Sequence, residues 1–183
     1  LLIGDIPIYI GLDSSDVWSH PEEFQLDENL LPVEVAGCPP DCFSEDGQLW
    51  GNPLFDWDHM KNNGFSWWIS RIRYQTQIYD LLRIDHFRGF DSYYSIPYEE
   101  TSTRNGKWKK GPGLTLFEKL EIALGKLPIL AEDLGFLTPS VHELLSATGF
   151  PGMKVLEFAF DSRDTNSIYL PHRYTNNCIV YTG

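Results

Sequence analysis

Five segments of the chain carry apolar residues too closely spaced for a sheet that is wet on one face. They are "LLIGDIPIYI" at the start, "YDLLRIDHF", "KLPILAEDLG", "GMKVLEFAF" and "NCIVYTG". Near-continuous apolar runs of this length predict parallel strands covered by helices. Between them the period changes. Trp68, Ile72 and Tyr79, with Ile69 beside them, recur at helical spacing and predict a helix over 65–79. "TLFEKLEIALG" opens with Thr115 and has Glu118 three residues on, a capping-box pattern. Phe117, Leu120 and Leu124 then share a face, and Gly125 can end that helix. "TPSVHELLSATG" predicts a third helix, with Thr138 as N-cap, Pro139 at the first helical position and Gly149 near the end.

Strand and helix therefore alternate from about Leu81 onward. That order predicts an α/β fold with right-handed crossovers and a parallel sheet. Five strands suit either a flavodoxin-like open sheet or part of an eight-stranded barrel. In both, active sites lie at the C-terminal ends of the strands. Two stretches break the pattern. Residues 32–58, "PVEVAGCPPDCFSEDGQLWGNPLFDWD", hold no steady period and predict a long irregular loop. Its Phe43, Trp50, Phe55 and Trp57 either line a site or pin the loop. "PYEETSTRNGKWKKGPG" is polar and glycine-rich and predicts a solvated excursion, which leaves Trp108 without a role.

Composition narrows the class. The 183 residues are 42% hydrophobic and 22% charged, as in an ordinary globular domain. A net charge of −12 argues against nucleic acid and against anionic membrane surfaces as partners. No apolar run approaches the ~20 residues of a membrane helix. Cys38, Cys42 and Cys178 read as reduced thiols, because "CPPDC" has no second pair to complete a zinc site. That favours a cytoplasmic setting, or a plastid in a plant or alga. Both ends lie in or beside apolar runs, which predicts that residues 1–183 are part of a longer catalytic domain cut at each end.

The charged positions bring in chemistry. In "LLRIDHFRGF", alternation puts Arg83, Asp85 and Phe87 on one face and Leu82 and Ile84 on the other. A cation beside Asp85 favours its carboxylate form, which can serve as a nucleophile. "PILAEDLG" likewise ends an apolar run on Glu132 and Asp133. Two carboxylates at the same end of adjacent parallel strands are the minimum for retaining glycosidic chemistry. Acids at strand ends also cap helices or form ion pairs. A metal site built from Asp85, His86, Glu132 and Asp133 is a rival, but it needs further histidines near the strand ends. Asp5 faces away from Ile6 and Ile8, and pattern alone gives it no task.

These segments resemble the 4-α-glucanotransferases, also called amylomaltases or disproportionating enzymes. "LLRIDHFRGF" and "ILAEDLG" look like two of that family's signatures, "AGCPPDCFSEDGQLWGNPLFDW" like its active-site loop, and "GDIPIYI" and "DSSDVW" like an earlier segment. The resemblance implies a (β/α)8 TIM barrel, of which this chain spans about strands three to seven, with residues 32–58 as the active-site loop. It implies that Asp85 is the nucleophile, Glu132 the general acid and then base, and Arg83 the residue that positions the nucleophile. His86 and Asp133 would flank the scissile bond, and Asp5 matches an acidic position of the first motif. Asp41, Gln48, Trp50 and Asn52 fall where the family contacts or covers bound glucan. The family's third catalytic carboxylate, in a short His-Asp motif, would follow "CIVYTG". The implied reaction moves part of a 1,4-α-glucan to the 4-hydroxyl of an acceptor glucan or glucose. It needs no cofactor or metal, and its partners are malto-oligosaccharides and α-1,4-glucans. Glucan hydrolysis and non-catalytic glucan binding are the alternatives.

Overall fold

Strand β4 (Leu81–Asp85) is the middle of a three-stranded parallel sheet, flanked by β1 (Ile3–Pro7) and β7 (Ile129–Ala131). The computed structural model describes residues 1–40, 44–135, 137–161 and 166–182. Within β4, Leu82 and Ile84 are wholly buried, while Arg83 and Asp85 face the other way and are part-exposed. The register sets Asp5 opposite Arg83 and Pro7 opposite Asp85 on one side, and Ala131 opposite Ile84 on the other. The parallel run continues loosely. Ala131 N–H donates to Pro151 O at 2.9 Å, just before β8 (Gly152–Val155), which pairs in parallel with β9 (Cys178–Tyr181). This is the α/β arrangement that the apolar runs predict.

Helices cover the buried face. Helix α3 (Ser66–Ile78) packs against β4 and against α4 (Leu114–Leu124), and α5 (Pro139–Thr148) packs against α4. Among the described residues, the buried aromatic rings other than Tyr94 form one cluster. Phe117 lies 5.2 Å from Phe87 and 5.1 Å from Phe90, and Phe90 lies 5.2 Å from Trp68, centroid to centroid. Phe87 belongs to this core, not to the face of Arg83 and Asp85 as simple alternation predicts. The reason is local: His86 adopts φ 53, ψ 49, a left-handed conformation that ends the strand and turns Phe87 inward.

The irregular stretches are more ordered than their sequences suggest. Residues 32–58 hold β2 (Glu34–Cys38) and β3 (Gln48–Pro53), and the polar excursion holds β6 (Lys107–Lys110). With β5 (Ser92–Pro97), which follows the β4 turn, they form an antiparallel sheet in the order β3-β2-β5-β6. Lys109 on β6 is salt-bridged to Glu34 on β2. Two short helices flank this region, α1 (Ser15–Ser19) and α2 (Trp57–Asn62).

The helix ends hold one surprise. The cap of α4 is Gly113, not Thr115, and the helix begins at Leu114. Gly113 sits at φ 59, ψ −147, a conformation open mainly to glycine, and its N–H donates to Phe90 O at 2.8 Å. Tertiary contact thus decides the helix start over the capping pattern. Thr138 does cap α5, although its hydroxyl meets Ser140 Oγ at 3.0 Å and not a backbone N–H. After β8 the chain makes a 3-10 turn at Leu156–Phe160, so the predicted strand "GMKVLEFAF" is about half strand. Among the described residues no α-helix links β8 to β9. Cys38 and Cys178 form no disulfide, and Cys42 lies outside the described residues.

Candidate active site

The site grows from the polar face of β4. Arg83 lies between two carboxylates, its direct cross-strand neighbour Asp5 and, two residues on, Asp85. Its Nη1 donates to Asp5 Oδ1 and its Nη2 to Asp85 Oδ1, each at 2.6 Å. Its Nε meets Met153 Sδ on β8 at 3.2 Å. Charge-assisted bonds of this length are strong, and the planar fork fixes direction as well as distance. The Arg83 side chain is 22% exposed, whereas those of Asp85 and Asp5 are 47% and 63% exposed. Asp85 thus presents a tethered carboxylate to open space.

Glu132 arrives from the neighbouring strand. The ladder runs one residue past β7, with Glu132 N–H donating to Ile84 O at 3.0 Å and Phe87 N–H donating to Glu132 O at 3.1 Å. The left-handed turn at His86 aims its N–H at Glu132 Oε2, at 2.8 Å, and Leu134 N–H reaches Oε1 at 2.8 Å. Burial raises the Glu132 pKa above the usual carboxylate value, the two backbone donors lower it, and the charge of Asp85 raises it again. The net direction is up. A carboxyl group poised this way can hold a proton and hand it over.

Aromatic walls complete the enclosure. Trp50 stands edge-on to the His86 ring at 4.8 Å, and Tyr9 lies 6.2 Å from Trp50 and 6.5 Å from His86. Trp50 Nε1 donates to Gln48 Oε1 at 2.9 Å, which steadies the indole. Burial, then the charge of Arg88, lowers the His86 imidazole to about 4, and its Nε2 is buried without a hydrogen-bond partner. His86 is therefore neutral at physiological pH.

A cavity of about 810 Å³ joins these groups. Arg83, Asp85, His86, Glu132, Trp50 and Asn52 all line it, so six of the expected site residues come together. Asp5 stands behind Arg83 and Gln48 behind Trp50. Asp133 turns toward β8, where Met153 N–H donates to its Oδ1 at 2.6 Å and Lys154 Nζ lies 3.9 Å from Oδ2. Its neighbour Gly152 leaves no room for a side chain, because an added Cβ would come within 2.5 Å of Asp133 Oδ2. Asp41 lies outside the described residues. Among the described residues no group of three or more acidic, Cys or His side chains is placed to hold a metal ion.

Tyr9 and Ser14 also line the cavity, and sequence reading passed them over. Tyr9 stands two residues beyond the end of β1. The strand-end argument that singles out Asp85 and Glu132 points to it equally.

The comparisons with known proteins fit this geometry. A family model described as 4-alpha-glucanotransferase matches residues 1–183. The chain is 54% identical to a 4-alpha-glucanotransferase of Clostridium butyricum, over 100% of this chain and 37% of that protein. It is 49% identical to the chloroplastic/amyloplastic 4-alpha-glucanotransferase of Solanum tuberosum, over 100% of this chain and 31% of that protein. Among solved structures, it matches an amylomaltase of Streptococcus agalactiae in complex with acarbose. That match has a TM-score of 0.95 and 49% identity, and it covers 99% of this chain and 37% of that one. The chain thus spans about a third of the length of these relatives.

Proposed function

Because this chain belongs to the 4-alpha-glucanotransferase family, we propose that it supplies the reacting centre of an enzyme that transfers segments of 1,4-α-glucans. The observation that carries this reading is the pair Asp85 and Glu132. They end adjacent parallel strands and share one cavity, with Arg83 tethering the first and burial raising the pKa of the second. Neighbouring strands lie about 4.8 Å apart. That spacing suits the roughly 5 Å between the carboxyl groups of retaining glycosidases.

The reaction follows from the placement. An Asp85 oxygen attacks the anomeric carbon, and the bond from that carbon to the glycosidic oxygen breaks. Glu132 gives its proton to the departing oxygen. The product is a glucosyl ester on Asp85. Glu132, now a carboxylate, takes the proton of an acceptor 4-hydroxyl. That oxygen attacks the same carbon and Asp85 leaves. Arg83 holds the nucleophile in line, and the walls of Trp50, Tyr9 and His86 limit water. Transfer outruns hydrolysis when the acceptor is held and water is kept out. Trp50 and Asn52 contact the bound glucan, with Gln48 supporting the indole. Asp133 acts through β8, shaping the site from behind.

The parallel strands fit about strands three to seven of a (β/α)8 barrel, with residues 32–58 as its active-site loop and the remainder of the domain on either side. The acarbose bound by the Streptococcus agalactiae neighbour suits malto-oligosaccharides as partners. No helix among the described residues is long and apolar enough to cross a membrane. A cytoplasmic setting, or a plastid one as in the potato relative, suits the reduced thiols.

The test uses the complete enzyme that contains this segment, given maltotriose, with products sized. Wild type yields glucose and oligomers longer than the substrate, and Asp85→Asn and Glu132→Gln each lose both. Products persisting in either variant would remove that residue from its role. A wild type that binds glucan and never turns it over would leave a binding module.

A further inference from the structure

Trp108 is the residue that the polar excursion leaves without a reason. Its strand, β6, is one edge of the four-stranded sheet, and β3, which carries Trp50, is the other. Both tryptophans reach the same short turn. The Trp50 ring meets His86 at 4.8 Å. The Trp108 ring lies 4.0 Å from Cζ of Arg88, two residues further along.

Arg88 is only 9% exposed, whereas Trp108 is 43% exposed, so it is the cation that is withdrawn from water, which strengthens its attraction to the indole face. Its Nη2 also meets Ser92 Oγ, on β5, at 3.4 Å. Trp108 also meets Tyr94, its register partner on β5, whose ring stands 5.2 Å away. The chain leaving β6 returns at once to the same turn, with Gly111 N–H donating to Asp91 O at 2.8 Å.

The sheet therefore straddles the turn. Strands lie about 4.8 Å apart, so the two edges of four strands are about 14 Å apart. The inner strand β5 joins the sheet to the turn, which leaves the sheet free to rock about that strand, and a contact at each edge opposes the rocking. We propose that Trp108 and Arg88 form a clasp that fixes where the antiparallel sheet holds Trp50 above the Asp85–Glu132 cavity. Both are then positioning residues for glycosyl transfer, an assignment that rests on the transferase reading of the cavity. Displacement of a positioning wall acts on turnover more than on binding, since about 1 Å of misplacement can cost about a hundredfold in rate.

In the complete enzyme, Trp108→Ala lowers kcat for maltotriose disproportionation about tenfold, leaves KM within about twofold, and raises the share of hydrolysis. Trp108→Phe keeps a flat ring for Arg88 and recovers most of the rate. Trp108→Leu keeps apolar bulk without a ring and follows the alanine variant, which keeps the test open should the alanine variant fold poorly. Fluorine NMR of fluorotryptophan-labelled enzyme gives a reading that does not depend on turnover. The Trp50 signal, assigned with Trp50→Phe, shifts in Trp108→Leu and stays in place in Trp108→Phe. A Trp50 signal unmoved in all three variants overturns the clasp, as does equal loss of kcat in the phenylalanine and leucine variants. A wild type without transfer products overturns the transferase reading instead, and the fluorine signal still decides the clasp.

Discussion

In the parallel sheet, β4 sends Leu82 and Ile84 into a core shared with Trp68, Phe87, Phe90 and Phe117. In the antiparallel sheet, Ala36 and Tyr93 reach that core, while Val35, Tyr94 and Ile96 form a small cluster of their own. The first sheet holds the charged groups, each pinned by ladder register and by bonds of 2.6–2.8 Å. The second holds an aromatic wall, fixed by ring contacts at its edges. The difference separates two demands on one site. In the proposed reaction, carboxyl groups that exchange a proton and a bond must be rigid to a fraction of an ångström. On the same reading, a wall that admits and releases a glucan is drawn from the less deeply buried part of the fold.

Core substitutions break this comparison most sharply. Trp68→Ala should cost about 3–5 kcal/mol of global stability in urea unfolding, because the ring is wholly buried. Ile96→Ala should cost about 2 kcal/mol, at the low end for its type. Its effect should appear as faster hydrogen exchange in β2, β5 and β6 with β4 unchanged. Equal costs, or exchange that quickens in both sheets together, would show one cooperative unit in place of two. Arg83→Gln comes next. It removes both 2.6 Å tethers and should lower kcat about a hundredfold with KM little changed. A change confined to KM would replace the role proposed for Arg83, orienting the nucleophile, with one in binding the glucan.

The pH dependence gives a smaller effect. Burial and the Arg88 charge lower His86 from 6.5 to about 4. The unfolded chain therefore takes up a proton there across a range in which the folded chain does not. The stability due to neutral His86 is fully present above about pH 6.5 and is lost as pH falls toward 4, amounting to about 2 kcal/mol between pH 7 and pH 5. Glu132 works in the opposite sense. Its raised folded pKa gives stability that is present below its unfolded value and is lost as pH rises through the folded one. His86→Asn tolerates the left-handed backbone and does not titrate. Its unfolding free energy should thus fall less than that of wild type between those two pH values. Matching slopes would mean that burial of Nε2 carries no cost. Trp50→Ala is the smallest of these changes. It should lower transfer about tenfold and raise the hydrolysed share, as read by product sizing. A larger loss than that of Arg83→Gln would reverse the roles of the two sheets.

The two sheets also differ in how far the sequence reveals them. Strands β1, β4 and β7 are legible because they are buried enough to read as apolar runs, and Asp85 and Glu132 stand out by ending such runs. Strands β2, β3 and β6 read "EVAGC", "QLWGNP" and "KWKK". They are short, interrupted by Gly and Pro or charged at all but one position, and their pairing partners lie as far as 63 residues away, as with Glu34 and Pro97. Nothing local encodes that pairing. The same holds for the start of α4, where the Thr115 pattern yields to the contact of Gly113 with Phe90. Strand alternation misplaces Phe87 because the left-handed His86 ends the strand one residue before it. Arg88 and Trp108 could be seen separately, but their contact spans two elements and has no sequence signature.

That left-handed histidine also shapes what this position could become. Residue 86 passes two filters at once. Its backbone region excludes β-branched side chains and is kindest to Gly, Asn, Asp and His. Its ring must meet Trp50 and Tyr9, which only an aromatic side chain does. Histidine passes both with the least strain, although Phe65, at φ 59, shows that this chain also holds a phenylalanine in that region. A saturation library at 86 should therefore be unusually barren, and substitutions that alter substrate range without unfolding the turn should gather instead at Trp50 and Asn52, where only one filter applies.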